Sequence, residues 1–193
     1  TSGPGEITFG TPNALQTTVE TDADGAYTIR LTVIDNAGNS SRDKITFTWD
    51  TTPPAVNAGP NAGEKNAVFT QRGTAADANG LASVIWSKVS GPGQVLFGRP
   101  DQLTNTVRAD ADGVYTVRLV VTDSAGNTSS DEARFVWDTT SPTVSAGEDA
   151  GVKNAAFTQR GIAEDTGGIV SQSWSKVSGP GNVTFGTSDA LQT

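Results

Sequence analysis

Between Asp112 and Pro142 the chain reads DGVYTVRLVVTDSAGNTSSDEARFVWDTTSP. Tyr115, Val117, Leu119 and Val121 alternate with Thr116, Arg118, Val120 and Thr122, a period of two that a half-buried strand requires. After the polar loop Asp123-Ser-Ala-Gly-Asn, the alternation resumes with Ala133, Phe135 and Trp137. The two runs predict a hairpin, and Asp-Thr-Thr-Ser-Pro predicts a joint to whatever follows. One apolar face on a hairpin must be covered by another layer, and the stretch reads as the closing hairpin of a β-sandwich.

Nearly the same words run from Asp24 to Pro54, as DGAYTIRLTVIDNAGNSSRDKITFTWDTTPP. The offset is 88 residues, and it also carries Trp49 to Trp137, Phe69 to Phe157 and Trp86 to Trp174. Ser-Gly-Pro-Gly appears at Ser2, Ser90 and Ser178. A period of 88 residues is a whole domain rather than a solenoid repeat. The expected organisation is the later half of one domain over residues 1–50, a complete domain over 51–138 and the earlier half of the next over 139–193.

Within the complete unit, strands are predicted at Pro54–Ala58, Phe69–Ala76, Ala82–Val89, Gln94–Gly98 and Leu103–Ala109, followed by the hairpin. Asn61–Asn66 reads as a polar turn, and Asp77-Ala-Asn-Gly as a turn that stops a strand. About seven short strands with turn signals between them are the pattern of an immunoglobulin-like sandwich. The expected core is Phe69, Trp86, Phe97, Val107, Tyr115, Val117, Leu119, Phe135 and Trp137. Asp112-Gly-Val-Tyr fits a tyrosine corner, with Gly113 supplying a positive φ; the alternative is that Tyr115 is simply a core aromatic.

Composition narrows the chemistry. The chain of 193 residues has no Cys, His or Met and a formal net charge of −8. Without Cys or His there is no Ser-His-Asp or Cys-His machinery, no zinc site of the usual kind and no disulfide framework. Net acidity argues against a nucleic-acid surface, which needs clustered Lys and Arg. No apolar run approaches a membrane span.

The stretches WSKVSGPGQVLFG and DGVYTVRLVVTDSAGN resemble PKD-type and related Ig-like modules of bacterial cell-surface proteins. The ending WDTTxP is similar to the joints of bacterial Ig-like adhesin repeats. The resemblance covers the whole chain and implies an all-β array of tandem Ig-like (PKD-like) sandwiches, secreted to the cell surface as spacer, stalk, filament or adhesive segment. In similar repeats calcium at the joint between sandwiches stiffens the rod, and Asp50 and Asp138 match that linker position.

Three chemistries remain to be weighed. Calcium takes six to eight oxygens from flexible loops. Candidate ligands are Asp22, Asp24, Asp35, Asn39 and Asp50 in the first copy, with Asp110, Asp112, Asp123, Asn127 and Asp138 in the second. The alternative is that these Asp and Asn residues are ordinary turn formers. Sugar binding would need an exposed aromatic platform. All thirteen aromatics fall at positions that recur with the 88-residue offset, which fits core positions better than a dedicated site. Acidic pairs could serve a glycosidase, but each pair sits in a turn and recurs with the repeat, so no catalysis is expected. Asn39-Ser-Ser, Asn127-Thr-Ser and Asn182-Val-Thr fit the glycosylation acceptor pattern, which has no consequence in most bacterial hosts.

The two half domains should each expose a core face and open edges. Completion by neighbouring material is expected, either from a longer array of the same chain or head-to-tail from a second chain, which would give a fibre. The segment Thr1–Thr17 is matched by Val177–Thr193, so clean head-to-tail complementation would supply one hairpin twice. Continuation of the same chain is the favoured expectation.

Overall fold

The computed structural model describes residues 2–186 and 188. It is all-β, with no helix among the described residues. In the first segment β1 (Ile7–Phe9) pairs antiparallel with β2 (Val19–Thr21), and β3 (Gly25–Ile34) pairs along its whole length with β4 (Ser40–Trp49). Ser2 exchanges two backbone hydrogen bonds with Thr28, at 3.0 and 2.9 Å, which lays the chain's start against the edge of β3.

The middle of the chain holds β5 (Ala55–Asn57), β6 (Gly63–Lys65), β7 (Phe69–Arg72), β8 (Thr74–Ala76), β9 (Leu81–Ser90), β10 (Val95–Phe97), β11 (Thr104–Ala109), β12 (Gly113–Asp123) and β13 (Thr128–Trp137). One sheet has the order β6-β13-β12-β9 and another the order β10-β11-β7, while β5 pairs with β8. The sheets are not closed. In the last segment β14 (Thr143–Ser145) pairs antiparallel with β15 (Ile162–Glu164).

The core lies between the two larger sheets of residues 51–138. Along β12, Tyr115, Val117, Leu119 and Val121 are buried while Val114 and Arg118 face solvent, the alternation that a period of two demands. Trp86, Val107, Phe135 and Trp137 are buried with them, and Phe69 and Phe97 are partly buried against the same cluster. Phe135 stacks on Tyr115 with ring centroids 5.1 Å apart and takes the edge of Phe69 at 5.1 Å. These contacts join strands of both sheets through one aromatic column. Ala58, Ala109 and Ala133 are also buried.

Tyr115 is both a core aromatic and a corner residue. Its ring is fully buried, and its hydroxyl donates to the Ala111 carbonyl at 2.6 Å while accepting the Gly93 N–H at 3.0 Å. Tyr27 repeats both bonds with Ala23 and Gly5, at 2.5 and 3.1 Å.

Two sequence expectations need correction. Asn61–Asn66 is not only a turn: Gly63–Lys65 forms β6, which pairs parallel with the edge of β13. Asp138 continues that contact by donating its N–H to the Lys65 carbonyl at 2.9 Å. The expected strand Phe69–Ala76 is two strands, β7 and β8, in different sheets. The break falls at Gly73, where an added Cβ would lie 2.6 Å from Leu119 Cδ2 and 3.0 Å from Trp86 Cζ2. Only glycine lets the backbone cross the core at that point. The repeat of Ala14–Thr17 at Ala190–Thr193 lies outside the described residues.

Candidate functional site

Of the oxygen donors that the sequence singles out, Asp24, Asp50, Asp112 and Asp138 bond the linker segments, and the others serve turns and loops. Asp22 and Asp24 are neighbours in one turn but serve different partners. Asp22 Oδ1 accepts the Glu6 N–H at 2.8 Å, behind it in the chain. Asp24 reaches forward: its Oδ1 accepts the Thr51 N–H and hydroxyl, both at 2.9 Å, and its Oδ2 accepts the Thr52 hydroxyl at 2.7 Å. The second copy repeats the arrangement. Asp110 takes the Gln94 N–H at 2.6 Å, and Asp112 takes Thr139 twice at 2.9 Å and the Thr140 hydroxyl at 2.7 Å. Both Asp24 and Asp112 are held below the usual carboxylate value, first by the hydroxyl of Thr52 or Thr140 and then by the neighbouring backbone N–H.

Each clamp depends on the glycine beside it. Gly25 and Gly113 sit at φ 143° and 144°, a region L side chains rarely adopt. A Cβ at Gly113 would also lie 2.7 Å from Pro92 Cγ. The turn therefore places the Asp carboxylate against the Asp-Thr-Thr segment that leaves β4 or β13.

The hairpin loops use the other Asp and Asn residues. Asp123, 1% exposed, accepts the N–H groups of Ala125, Gly126 and Asn127 on Oδ1 at 2.8, 2.7 and 2.9 Å, and the Asn127 side chain on Oδ2 at 2.9 Å. Burial pushes its carboxyl up, but the donors from Asn127, Ala125 and Gly126 outweigh that and the net direction is down. Asp35 makes the same kind of loop with Asn39 and Ala37, and is lowered chiefly by the Asn39 side chain. Every one of the ten candidate donors thus engages in turn or clamp chemistry.

One loop does more. The Asn127 amide donates to the Asp50 carbonyl at 3.1 Å, and the Asn79 amide donates to Asp50 Oδ2 at 2.8 Å. The linker after β4 is thereby tied to two loops of the next sandwich. Asp50, Asp77 and Asp123 each bring a carboxylate oxygen within 4.8 Å of the others. At the second joint Asp138, Asp165 and Glu64 surround Gly167; a Cβ there would lie 2.7 Å from Asp138 Oδ2 and 3.3 Å from an oxygen of each of the other two. Of the residues selected from sequence, Asp50, Asp123 and Asn127 come together in one cluster at the first joint, while Asp24 holds the same linker from the other side and Asp22, Asp35 and Asn39 lie elsewhere. Asp77 was read only as a turn former; nothing local in its tetrapeptide signals that the linker will meet it.

Three carboxylates at this spacing form a hard, anionic oxygen set, the donor type that suits calcium. Asp123 Oδ1 is largely committed to its own loop, so a cation would be shared chiefly by Asp50 and Asp77 with the remaining lone pairs of Asp123.

Two stretches of the all-β chain match models of known domain families. Residues 63–135 match the family described as K319L-like, PKD domain, and residues 3–51 match the family described as bacterial Ig-like domain. The chain is similar to the dyslexia-associated protein KIAA0319 homolog of Mus musculus and to that of Rattus norvegicus, each 34% identical over 126 residues. These alignments span 56% of this chain and 11% of each relative. Among solved structures, the solution structure of the PKD domain from KIAA 1837 protein is 20% identical, with a TM-score of 0.40, covering 55% of this chain and 99% of that one.

Proposed function

We propose that this chain is a non-catalytic spacer and assembly unit of an extracellular stalk, filament or adhesin shaft. Its units are residues 1–50, 51–138 and 139–193, with each half domain completed by a neighbouring repeat. The observation that carries this reading is the doubled clamp: Asp24 on Thr51–Thr52 and Asp112 on Thr139–Thr140, with matching bonds and distances. A linker held at both joints by three charge-assisted bonds limits how one sandwich swings against the next. Reach and stiffness are what such an array supplies.

The absence of cysteine makes the test direct. Spin labels at Arg42→Cys and Arg108→Cys report the distance across the first joint. A narrow distance distribution that broadens when Asp24 is replaced by Ala supports the spacer. A distribution already broad in the parent chain overturns it.

Calcium at the joint is a second reading, favoured by the convergence of Asp50, Asp77 and Asp123. A binding module for glycan or protein on a repeated face is the alternative from another class. In residues 51–138 none of the aromatic side chains is exposed, so a stacking platform for sugar is not on offer there.

A further inference from the structure

The turn between β8 and β9 reads Asp77-Ala-Asn-Gly, and of the eleven asparagines in the chain Asn79 alone is followed by glycine. That neighbour matters chemically. An asparagine side chain is open to attack at Cγ by the main-chain nitrogen of the next residue, and a side chain on that residue obstructs the approach. Gly80 offers no obstruction. It is exposed at φ 92°, and even an added Cβ would meet nothing nearer than Ser124 Oγ at 3.5 Å. Its carbonyl accepts the Ser124 N–H at 3.1 Å, while its own N–H makes no hydrogen bond among the described residues.

The amide open to this attack also holds the first joint. Asn79 is exposed, its N–H donates to Asp77 Oδ1 at 2.8 Å, and its side-chain amide donates to Asp50 Oδ2 at 2.8 Å. Asp50, Asp77 and Asp123 crowd three carboxylates within 4.8 Å, and a donated N–H from Asn79 offsets that like charge. The second joint lacks the amide. The residues 88 further on are Asp165-Thr-Gly-Gly, with Gly167 in the place of Asn79.

We propose that Asn79 is a site of spontaneous deamidation that loosens the first joint as the protein ages. The step needs only water. The Gly80 nitrogen bonds to Asn79 Cγ and gives up its proton, the Cγ–Nδ2 bond breaks, and ammonia leaves with that proton. Water then opens the cyclic imide at one of its two carbonyls. Opening at the side-chain carbonyl leaves an aspartyl residue at position 79. Opening at the main-chain carbonyl leaves an isoaspartyl residue, with the backbone rerouted through the former side chain.

Both products exchange a hydrogen-bond donor for a negative charge facing Asp50, so a bond becomes a repulsion. The isoaspartyl product also lengthens the turn that aligns Gly80 with Ser124. The Asn127 amide on the Asp50 carbonyl and the Asp24 clamp on Thr51 and Thr52 remain, so the joint is loosened and not cut. Asp24-Gly25 and Asp112-Gly113 share the glycine but not the leaving group. Their carboxylates are kept charged by the threonines that bond them, and a carboxylate anion resists attack at carbon. The site stands on the chemistry of the turn; its mechanical effect rests on the spacer reading above.

The test holds the chain at neutral pH and body temperature and samples it by peptide-mapping mass spectrometry. Spin-label distances between Arg42→Cys and Arg108→Cys are read on the same samples. The account expects residue 79 to gain the mass of an amide-to-acid exchange at least an order of magnitude faster than any other asparagine. The distance distribution should broaden in step with that conversion, and Asn79→Asp should be broad from the start. Asn79→Gln, which keeps the amide and closes a ring far more slowly, should stay narrow. Conversion at position 79 no faster than elsewhere overturns the site, and conversion with an unchanged distribution overturns the loosening. A distribution already broad in the fresh parent removes the spacer reading, and the mass measurement still decides the site.

Discussion

Asp112 accepts the hydroxyl of Thr140 at 2.7 Å across 28 residues of chain, and Asp24 accepts that of Thr52 at the same distance. The bond ties the turn before a hairpin to the segment after it, so the exit direction of the chain is set by the sandwich it leaves. Its strength depends on the charge of the carboxylate.

That dependence predicts an acid limit. Asp24, Asp35, Asp112 and Asp123 all lie below the usual 3.8 in the folded chain. A group lowered by folding contributes stability that is fully present above its unfolded value and lost as pH falls through its folded one. Thermal midpoints measured against pH should therefore be flat above about pH 5 and fall steeply below 3.8. Replacing Asp24 and Asp112 by Asn should flatten that fall; an unchanged profile would show that these carboxylates do not govern it.

The corner hydroxyl gives a second prediction. Tyr115→Phe keeps the ring and strands the Gly93 N–H and the Ala111 carbonyl. The expected loss is about 1–3 kcal/mol, or roughly 4–8 °C in the melting midpoint per kcal/mol for a domain of this size. Differential scanning calorimetry reads it directly, and a shift below one degree would mean that water replaces both bonds at no net loss.

Equivalent leucines should behave differently. Leu119 is fully buried beside Gly73 and Trp86, so Leu119→Ala should cost about 2–5 kcal/mol. Leu31 is half exposed, and in dilute solution Leu31→Ala should cost about 0.5 kcal/mol or less. Urea titrations of the two variants check this, and equal losses would contradict the burial difference between β3 and β12.

Much of this was legible in the sequence, for a physical reason. The alternation in Tyr115–Val121 is strong because one side faces a core and the other faces water, and a strand's period of two records that asymmetry directly. Gly63-Glu-Lys carries no such record: β6 is polar on a sheet edge, and its pairing with β13 lies seventy residues away. The split at Gly73 was hidden because the glycine answers to Leu119 and Trp86, which only the fold brings near. Asp77 was legible as a turn former but not as a neighbour of Asp50, since their meeting depends on how one unit follows another.

Calcium should matter at the joint if the three carboxylates share it. A chelator should then lower the melting midpoint of the parent chain and leave that of Asp77→Ala unmoved, because the linker ligand set is already broken. Calorimetry with and without chelator reads both, and no shift in the parent would remove metal from the joint.

Electron microscopy of the native assembly tests the spacer claim most directly. The account predicts sandwiches in file, continuing past the residues described, with a repeat distance that stays constant along the rod. Sandwiches gathered into a compact particle, or strung at irregular spacing, would contradict it.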